Sequence, residues 1–334
     1  RQMCIRDSYI TSSYKALMKF EKNIKNTSER IARFINHTPL QYSPYLSKII
    51  DGNVYLKLEN IQKTGSFKFR GAMSKISSLA MSKNPKKVIT ASTGNHGAAC
   101  SLAMSLKGVD GSIYVPKNAH QNKIDKIKLY GADVKYYGND CVETEMHAKT
   151  LSIEHGFSYI SPYNDMDVIF GQGTVGYEID QDLDIIDAIF ISVGGGGLIS
   201  GVGGYLKSLK REINIFGVSP INSCVMHESI KNGQITDLQS QPTLSDGTAG
   251  GVESGSITFD YCNEFIDEFI TVTEDEIKTG MITCIDFEHC LVEGAAGAAV
   301  AGFLKKKEHL KGMDVVIVIC GGNVSSTIIK QITA

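Results

Sequence analysis

Short apolar, β-branched runs recur along the chain, separated by longer stretches in which apolar residues return every three or four positions. The runs cover 53–58, 87–91, 111–115, 133–137, 157–160, 187–193, 213–219, 269–272 and 314–320, and each reads as a strand. Two of them, Asp187 to Val193 and Val315 to Ile319, are almost continuously apolar, as expected of central strands buried on both faces. Between the runs, Asn122 to Tyr130 carries isoleucine and leucine on one face and lysines on the other, and Gly131 closes it, which predicts a helix. Strands alternating with helices imply an α/β fold built on parallel sheets with helices on both sides. Four strands and their helices fall between Lys87 and Pro162, enough for a small domain. The expected organisation is a small domain at 87–162 inserted into a larger one formed by 9–86 and 163–334. Residues 1–8 do not start with methionine; they are expected to be a non-native or disordered leader and are set aside.

Composition narrows the partners. The chain has 334 residues, 42% hydrophobic and 21% charged, with 34 Lys+Arg against 36 Asp+Glu, which suits a folded protein with no basic surplus for nucleic acid or an anionic membrane. No apolar run reaches the length of a membrane span, so a membrane partner is not expected. The eight cysteines form no Cys-x-x-Cys pair, a usage that fits reduced thiols and a cytoplasmic location. The remaining partner class is a small molecule.

Candidate chemistry sits in four places. In Gly65-Ser66-Phe67-Lys68-Phe69-Arg70-Gly71-Ala72 a lysine stands between two aromatic rings. Enclosure there disfavours the ammonium and releases a nucleophilic amine suited to Schiff-base chemistry, while a lysine whose stem merely covers apolar surface fits the same octapeptide. The run Gly194-Gly195-Gly196-Gly197-Leu198 lies between a buried strand and a helical stretch, where backbone amides without side-chain hindrance converge on a phosphate at a helix N-terminus. A dinucleotide fingerprint is only loosely imitated, and the next strand ends in Val218-Ser219-Pro220 without the acidic residue it needs. Ser92-Thr93-Gly94-Asn95-His96 again joins a strand to a helix, and its hydroxyls, amide and free backbone amides suit a substrate carboxylate as well as an ordinary helix cap. Cys320-Gly321-Gly322-Asn323 closes the last apolar strand, where ligands of open α/β sheets bind, and its thiol fits an inert buried cysteine as well as a hydrogen-bond partner for a ring nitrogen.

An aldehyde, a phosphate and a ring nitrogen in one molecule would engage Lys68, the glycine run and Cys320 together, which points to pyridoxal 5'-phosphate. The four motifs in this order resemble the serine/threonine dehydratase and serine racemase family of fold type II enzymes, with the loop Ser245 to Glu253 similar to that of the hydroxyectoine-utilisation dehydratase branch. The resemblance implies two open, twisted, mostly parallel sheets with flanking helices and a homodimer. It also implies that Lys68 carries the cofactor, Phe67 flanks its ring, Asn95 bonds its phenolic oxygen, Gly194, Gly195, Gly196, Gly197 and Leu198 hold its phosphate, and Cys320 faces its ring nitrogen. Ser92, Thr93, Gly94, Asn95, His96 and Gly247 would contact an amino acid substrate, and Glu293 would lie near the ring or simply start a helix.

The implied reaction is β-elimination of L-threonine, L-serine or a related β-hydroxy amino acid to a 2-oxo acid and ammonia, with Lys68 as the base at Cα. The alternatives are serine racemase activity, with Thr93 as the second acid where the racemases place a serine, and β-replacement or threonine synthase-like chemistry. Racemases of this family resemble one another in a carboxylate pair after the strand near Val218; Ser219 to Val225 contains none, so no metal is expected.

Overall fold

The computed structural model describes residues 2–82 and 86–334, with side chains described from residue 17 onward. The leader expected at 1–8 therefore lies outside the residues whose side chains are described. Among the described residues ten strands form two sheets: β1 (Leu40–Tyr42), β2 (Asn53–Leu58), β3 (Val88–Ala91), β4 (Gly111–Val115), β5 (Asp133–Tyr136), β6 (Ser158–Tyr159), β7 (Ala188–Ser192), β8 (Asn214–Pro220), β9 (Glu268–Val272) and β10 (Asp314–Ile319). The larger sheet runs β1-β2-β10-β7-β8-β9 and the smaller β5-β4-β3-β6. Every pairing is parallel except β1 with β2. The hydrophobic pattern predicts the α/β class with parallel pairing and the family resemblance implies two mostly parallel sheets, and both are found. The sequence reading omitted β1, whose three residues are too few to show a period and whose outer edge is exposed.

Helices cover the sheets: α1 (Gln2–Ile31), α2 (Pro44–Ile50), α3 (Lys68–Ala80), α4 (Asn95–Lys107), α5 (Gln121–Leu129), α6 (Cys141–His155), α7 (Met166–Asp182), α8 (Gly197–Ser208), α9 (Val225–Asn232), α10 (Ile257–Phe265), α11 (Glu274–Glu288), α12 (Gly294–Lys306) and α13 (Ser326–Thr333). The two apolar runs that read as central strands are central. Ile317 of β10 pairs with Leu56 on one side and Phe190 of β7 on the other, and all three are fully buried.

Helix α3 belongs to both halves of the molecule. Phe69, Met73 and Ile76 join the core of the smaller sheet, alongside Val88, Ile113 and Ile160. Its other face carries Arg70, fully buried, whose guanidinium is held on both edges. Nε and Nη2 donate to Glu59 at 2.8 and 2.7 Å, and Nη1 and Nη2 donate to Glu178 of α7 at 2.6 and 2.7 Å. Glu178 also takes the buried Lys57 Nζ at 2.7 Å, and Lys57 donates to the Thr38 carbonyl at 2.7 Å. Two buried cations and two buried carboxylates thus balance with their hydrogen-bonding capacity largely filled. Burial opposes the charge of Glu178, but the bonds from Arg70 and Lys57 override it and hold its carboxyl below the usual range.

Arg70→Met leaves Glu59 and Glu178 without their shared cation, and the expected loss is roughly 3–5 kcal/mol of stability, read from the urea unfolding midpoint. Because the folded-state value of Glu178 is depressed, its contribution is complete above the unfolded carboxylate value and disappears as pH falls through the folded one. Glu178→Gln is therefore expected to destabilise the protein at neutral pH and to flatten the acid limb of its stability curve.

Candidate active site

Three of the four motifs occupy turns at the carboxyl ends of β3, β7 and β10, and the fourth opens α3 beside β10. They meet because the chain is stitched there. The Phe67 amide donates to the Cys320 carbonyl at 3.0 Å and the Gly322 amide to the Gly65 carbonyl at 2.9 Å. The result is a cavity of about 1080 Å³ between the two sheets. Phe67, Lys68, Ser92, Thr93, Gly94, Asn95, His96, the run Gly194 to Leu198, Gly247 and Cys320 all border it.

Lys68 is the first residue of α3. Its Nζ lies 5.2 Å from the centre of the Phe67 ring and donates to the Pro162 carbonyl at 2.9 Å. Burial lowers its pKa to about 8, although nearby Glu293 pulls the other way. The two flanking phenylalanines divide: Phe67 faces the amine, whereas Phe69, two residues along the helix, points into the core of the smaller sheet. The desolvation expected from both rings comes from one ring and the cavity wall.

The glycine turn passes so close to its neighbours that side chains would not fit. A Cβ on Gly194 would meet the Thr248 carbonyl oxygen at 2.7 Å, and Gly196, at φ +83°, would meet Cys262 Sγ at 2.6 Å. Gly196 is the N-cap of α8, so the first amides of that helix open toward the cavity. Ser92 Oγ accepts from the Gly94 amide at 3.2 Å, which shapes the second turn. His96 contributes its position but not its ring: the imidazole is buried against Thr90 Oγ1 and the Ile160 carbonyl, each at 3.1 Å. Burial, helped by Lys68, pushes its pKa down to about 3.

Asn95 belongs to a polar chain. Its Nδ2 donates to Glu293 Oε1 and Oε2 at 3.0 and 2.9 Å, and its Oδ1 accepts from Asn323 Nδ2 at 2.5 Å. Asn323 also gives its backbone amide to Glu293 at 3.2 Å and accepts from Lys126 Nζ. Glu293 is buried, and burial raises its pKa despite the Asn95 bond. It directly precedes α12 but spends its side chain on Asn95 and Asn323 rather than on capping that helix. Cys320 is buried, takes the Ser192 hydroxyl at 3.4 Å, and has its thiol pushed far up, chiefly by burial. It stays a neutral thiol.

Sequence reasoning did not assign Asn323, Lys126 or Pro162 to the site. Asn323 closes a motif already in view, so its position was the available signal. Lys126 and the Pro162 carbonyl carry none, because their reach depends on how the sheets meet. At the cavity edge Lys123 of α5 pairs with Asp246 at 3.3 Å, and away from the cavity Lys149 of α6 pairs with Glu253 at 2.6 Å, joining the smaller-sheet unit to the loop that carries Gly247.

A family model described as pyridoxal-phosphate dependent enzyme matches residues 31–321. The L-threonine ammonia-lyase of Thermotoga maritima is 37% identical over 311 residues, 93% of this chain and 77% of that protein. A catabolic L-threonine dehydratase of Staphylococcus aureus is 39% identical over 309 residues, 91% of this chain and 89% of that protein. Among solved structures, threonine deaminase isoform 2 from Solanum lycopersicum, in its processed form, superimposes with a TM-score of 0.90 at 34% identity, covering 95% of this chain and 92% of that one. Serine racemase from Dictyostelium discoideum gives 0.83 at 35% identity, with 91% and 98% covered.

In the cofactor-free chain, the Lys68 amine is expected to titrate near pH 8, well below a surface lysine. The check is the pH dependence of its labelling by an amine-directed reagent, followed by peptide mass; an inflection near the ordinary lysine value would contradict the desolvation argument.

Proposed function

The chain belongs to the pyridoxal-phosphate dependent enzymes, and on that premise we propose that it is an ammonia-lyase acting on L-threonine, L-serine or a related β-hydroxy amino acid. One observation carries the reading: a buried lysine amine of lowered pKa faces the same cavity as a glycine turn opening a helix and a neutral thiol. The curated relatives named as threonine ammonia-lyase and threonine dehydratase support it.

The donors present fit the cofactor. Lys68 supplies an amine for its aldehyde, Gly194 to Leu198 amides for its phosphate, Phe67 a face for its ring, Asn95 an amide donor for its phenolic oxygen, and Cys320 a thiol for its ring nitrogen. When bound, the cofactor supplies an electron sink that makes the Cα proton of an amino acid labile.

The remaining steps belong to the chain. Ser92, Thr93, Gly94 and Asn95 receive the carboxylate at the N-terminus of α4, with His96 contributing backbone and Gly247 leaving room opposite. Lys68 Nζ takes the Cα proton; with a pKa of about 8, a useful share is unprotonated near neutrality. Asn323 holds Asn95 Oδ1, so the Asn95 amide nitrogen is turned to Glu293. The neutral Cys320 thiol cannot keep a ring nitrogen charged as a carboxylate would, which favours expelling a β-hydroxyl over transamination. Residues 87–162 act as a small domain within 9–86 and 163–334, a division supported by a second sheet drawn wholly from 88–159. The reading extends to a cytoplasmic homodimer. All seven described cysteines are free thiols, which supports a reducing compartment, and no helix among the described residues is long and apolar enough to cross a membrane.

Incubation with L-threonine, L-serine and threo-3-hydroxyaspartate is expected to release 2-oxo acid and ammonia in equal amounts, with little change of enantiomer. D-serine formed faster than pyruvate would instead assign Thr93 the second proton and make the enzyme a racemase. Lys68→Ala is expected to lower kcat by about 10²-fold or more and to abolish the reducible covalent link to the cofactor.

A further inference from the structure

Outside the cavity, one group of metal-capable side chains converges among the described residues. Cys224, His227 and Glu228 each bring a donor atom within 4.8 Å of the other two. Cys224 precedes α9, and His227 and Glu228 follow three and four places on, a spacing that stacks all three on one turn. His227 Nδ1 lies 3.0 Å from Glu228 Oε1, yet it is buried and the pair is not aligned for a hydrogen bond. The ring is held in place by Phe269, with centroids 5.2 Å apart. The three donor atoms face a common point, where a cation would stand between His227 Nδ1 and Glu228 Oε1 and replace the 3.5 Å contact of Cys224 Sγ with the Ile221 carbonyl.

The donor types select the ion. Thiolate, imidazole and carboxylate are the ligands of zinc-class cations, whereas magnesium and calcium take oxygen ligands throughout. A thiolate and a carboxylate also neutralise a doubly charged ion, leaving a fourth position for water. We propose that Cys224, His227 and Glu228 bind a borderline-soft divalent cation of the zinc class. The carboxylate-free segment Ser219 to Val225 holds only one of these ligands; Glu228 lies a turn beyond it.

The site is placed to brace the cavity from below. Met226, between the ligands, reaches the glycine turn, where a Cβ on Gly196 would meet Met226 Cε at 3.1 Å. The preceding turn holds the loop that lines the cavity mouth: Asn222 Nδ2 donates to the Pro242 carbonyl at 2.7 Å and Ser223 Oγ accepts from the Gly250 amide at 3.1 Å. An ion here ties that loop and the glycine turn to one helical turn.

The test uses cofactor-loaded enzyme stripped with a chelator and titrated with Co²⁺. One equivalent is expected to bind with thiolate-to-cobalt charge-transfer absorption, to be displaced by Zn²⁺ and to withstand excess Mg²⁺. Cys224→Ser should lose the band while keeping cofactor absorbance, Cys141→Ser should keep it, and His227→Ala should weaken Zn²⁺ binding about tenfold or more. Absence of saturable Co²⁺ binding, a band that survives Cys224→Ser, or displacement by Mg²⁺ would overturn the proposal. Release of 2-oxo acid from the stripped enzyme reads the ammonia-lyase assignment separately.

Discussion

The fully buried Arg70 guanidinium, gripped by Glu59 and Glu178, is the interaction on which the architecture turns. It pins α3 to the segment after β2 and to α7, elements of the larger sheet's side. The opposite face of the same helix inserts Phe69, Met73 and Ile76 into the core of the smaller sheet. Apolar burial alone would leave α3 free to slide or roll by small amounts, because dispersion contacts are non-directional. A guanidinium bound along two edges has one orientation, and Lys68 lies two residues away at the start of that helix.

Lys68 owes its chemistry to this placement. An amine on a flexible stem normally reaches water and keeps its proton. Here the stem is committed to the space between the sheets, its Nζ is held by the Pro162 carbonyl, and desolvation outweighs the pull of nearby Glu293. The same low-polarity setting keeps the Cys320 thiol protonated and raises the Glu293 carboxyl. Amine, thiol and carboxyl all shift toward neutrality for one reason, the loss of water. The site is tuned by where the groups are buried more than by ion pairs between them.

Around that interior runs a polar chain, Lys126 to Asn323 to Asn95 to Glu293, that crosses from α5 to the end of β10, the start of α4 and the start of α12. Each amide has a donor end and an acceptor end, so Asn323 fixes which way Asn95 turns. Lys123 and Asp246, paired at the cavity edge, are more exposed. They are screened by solvent and can open and re-form at small cost, which suits a mouth that must pass substrate.

Much of this was legible in the residue pattern. Strand positions followed from runs of β-branched residues because burial on both faces demands continuous apolar side chains, and Val315 to Ile319 sits where that rule puts it. The glycine run, the Ser92 to His96 turn and Cys320 stood out by residue type at strand ends and Lys68 by its place between two phenylalanines, and all four border one cavity. The three-residue edge strand β1 was not, since so short a segment has no measurable period. Nor could sequence tell that Phe69 turns away from Lys68, that the His96 ring is spent on Thr90 and Ile160, or that Asn323 orients Asn95. Those depend on the rotation of a helix and on contacts such as His96 with Ile160, 64 positions apart, and Asn95 with Asn323, 228 apart. The sequence by itself determined which elements form and which chemical groups are present. The tertiary structure alone decided how dry each group is and which partner it meets, because desolvation and hydrogen-bond geometry are properties of the packed space between the sheets.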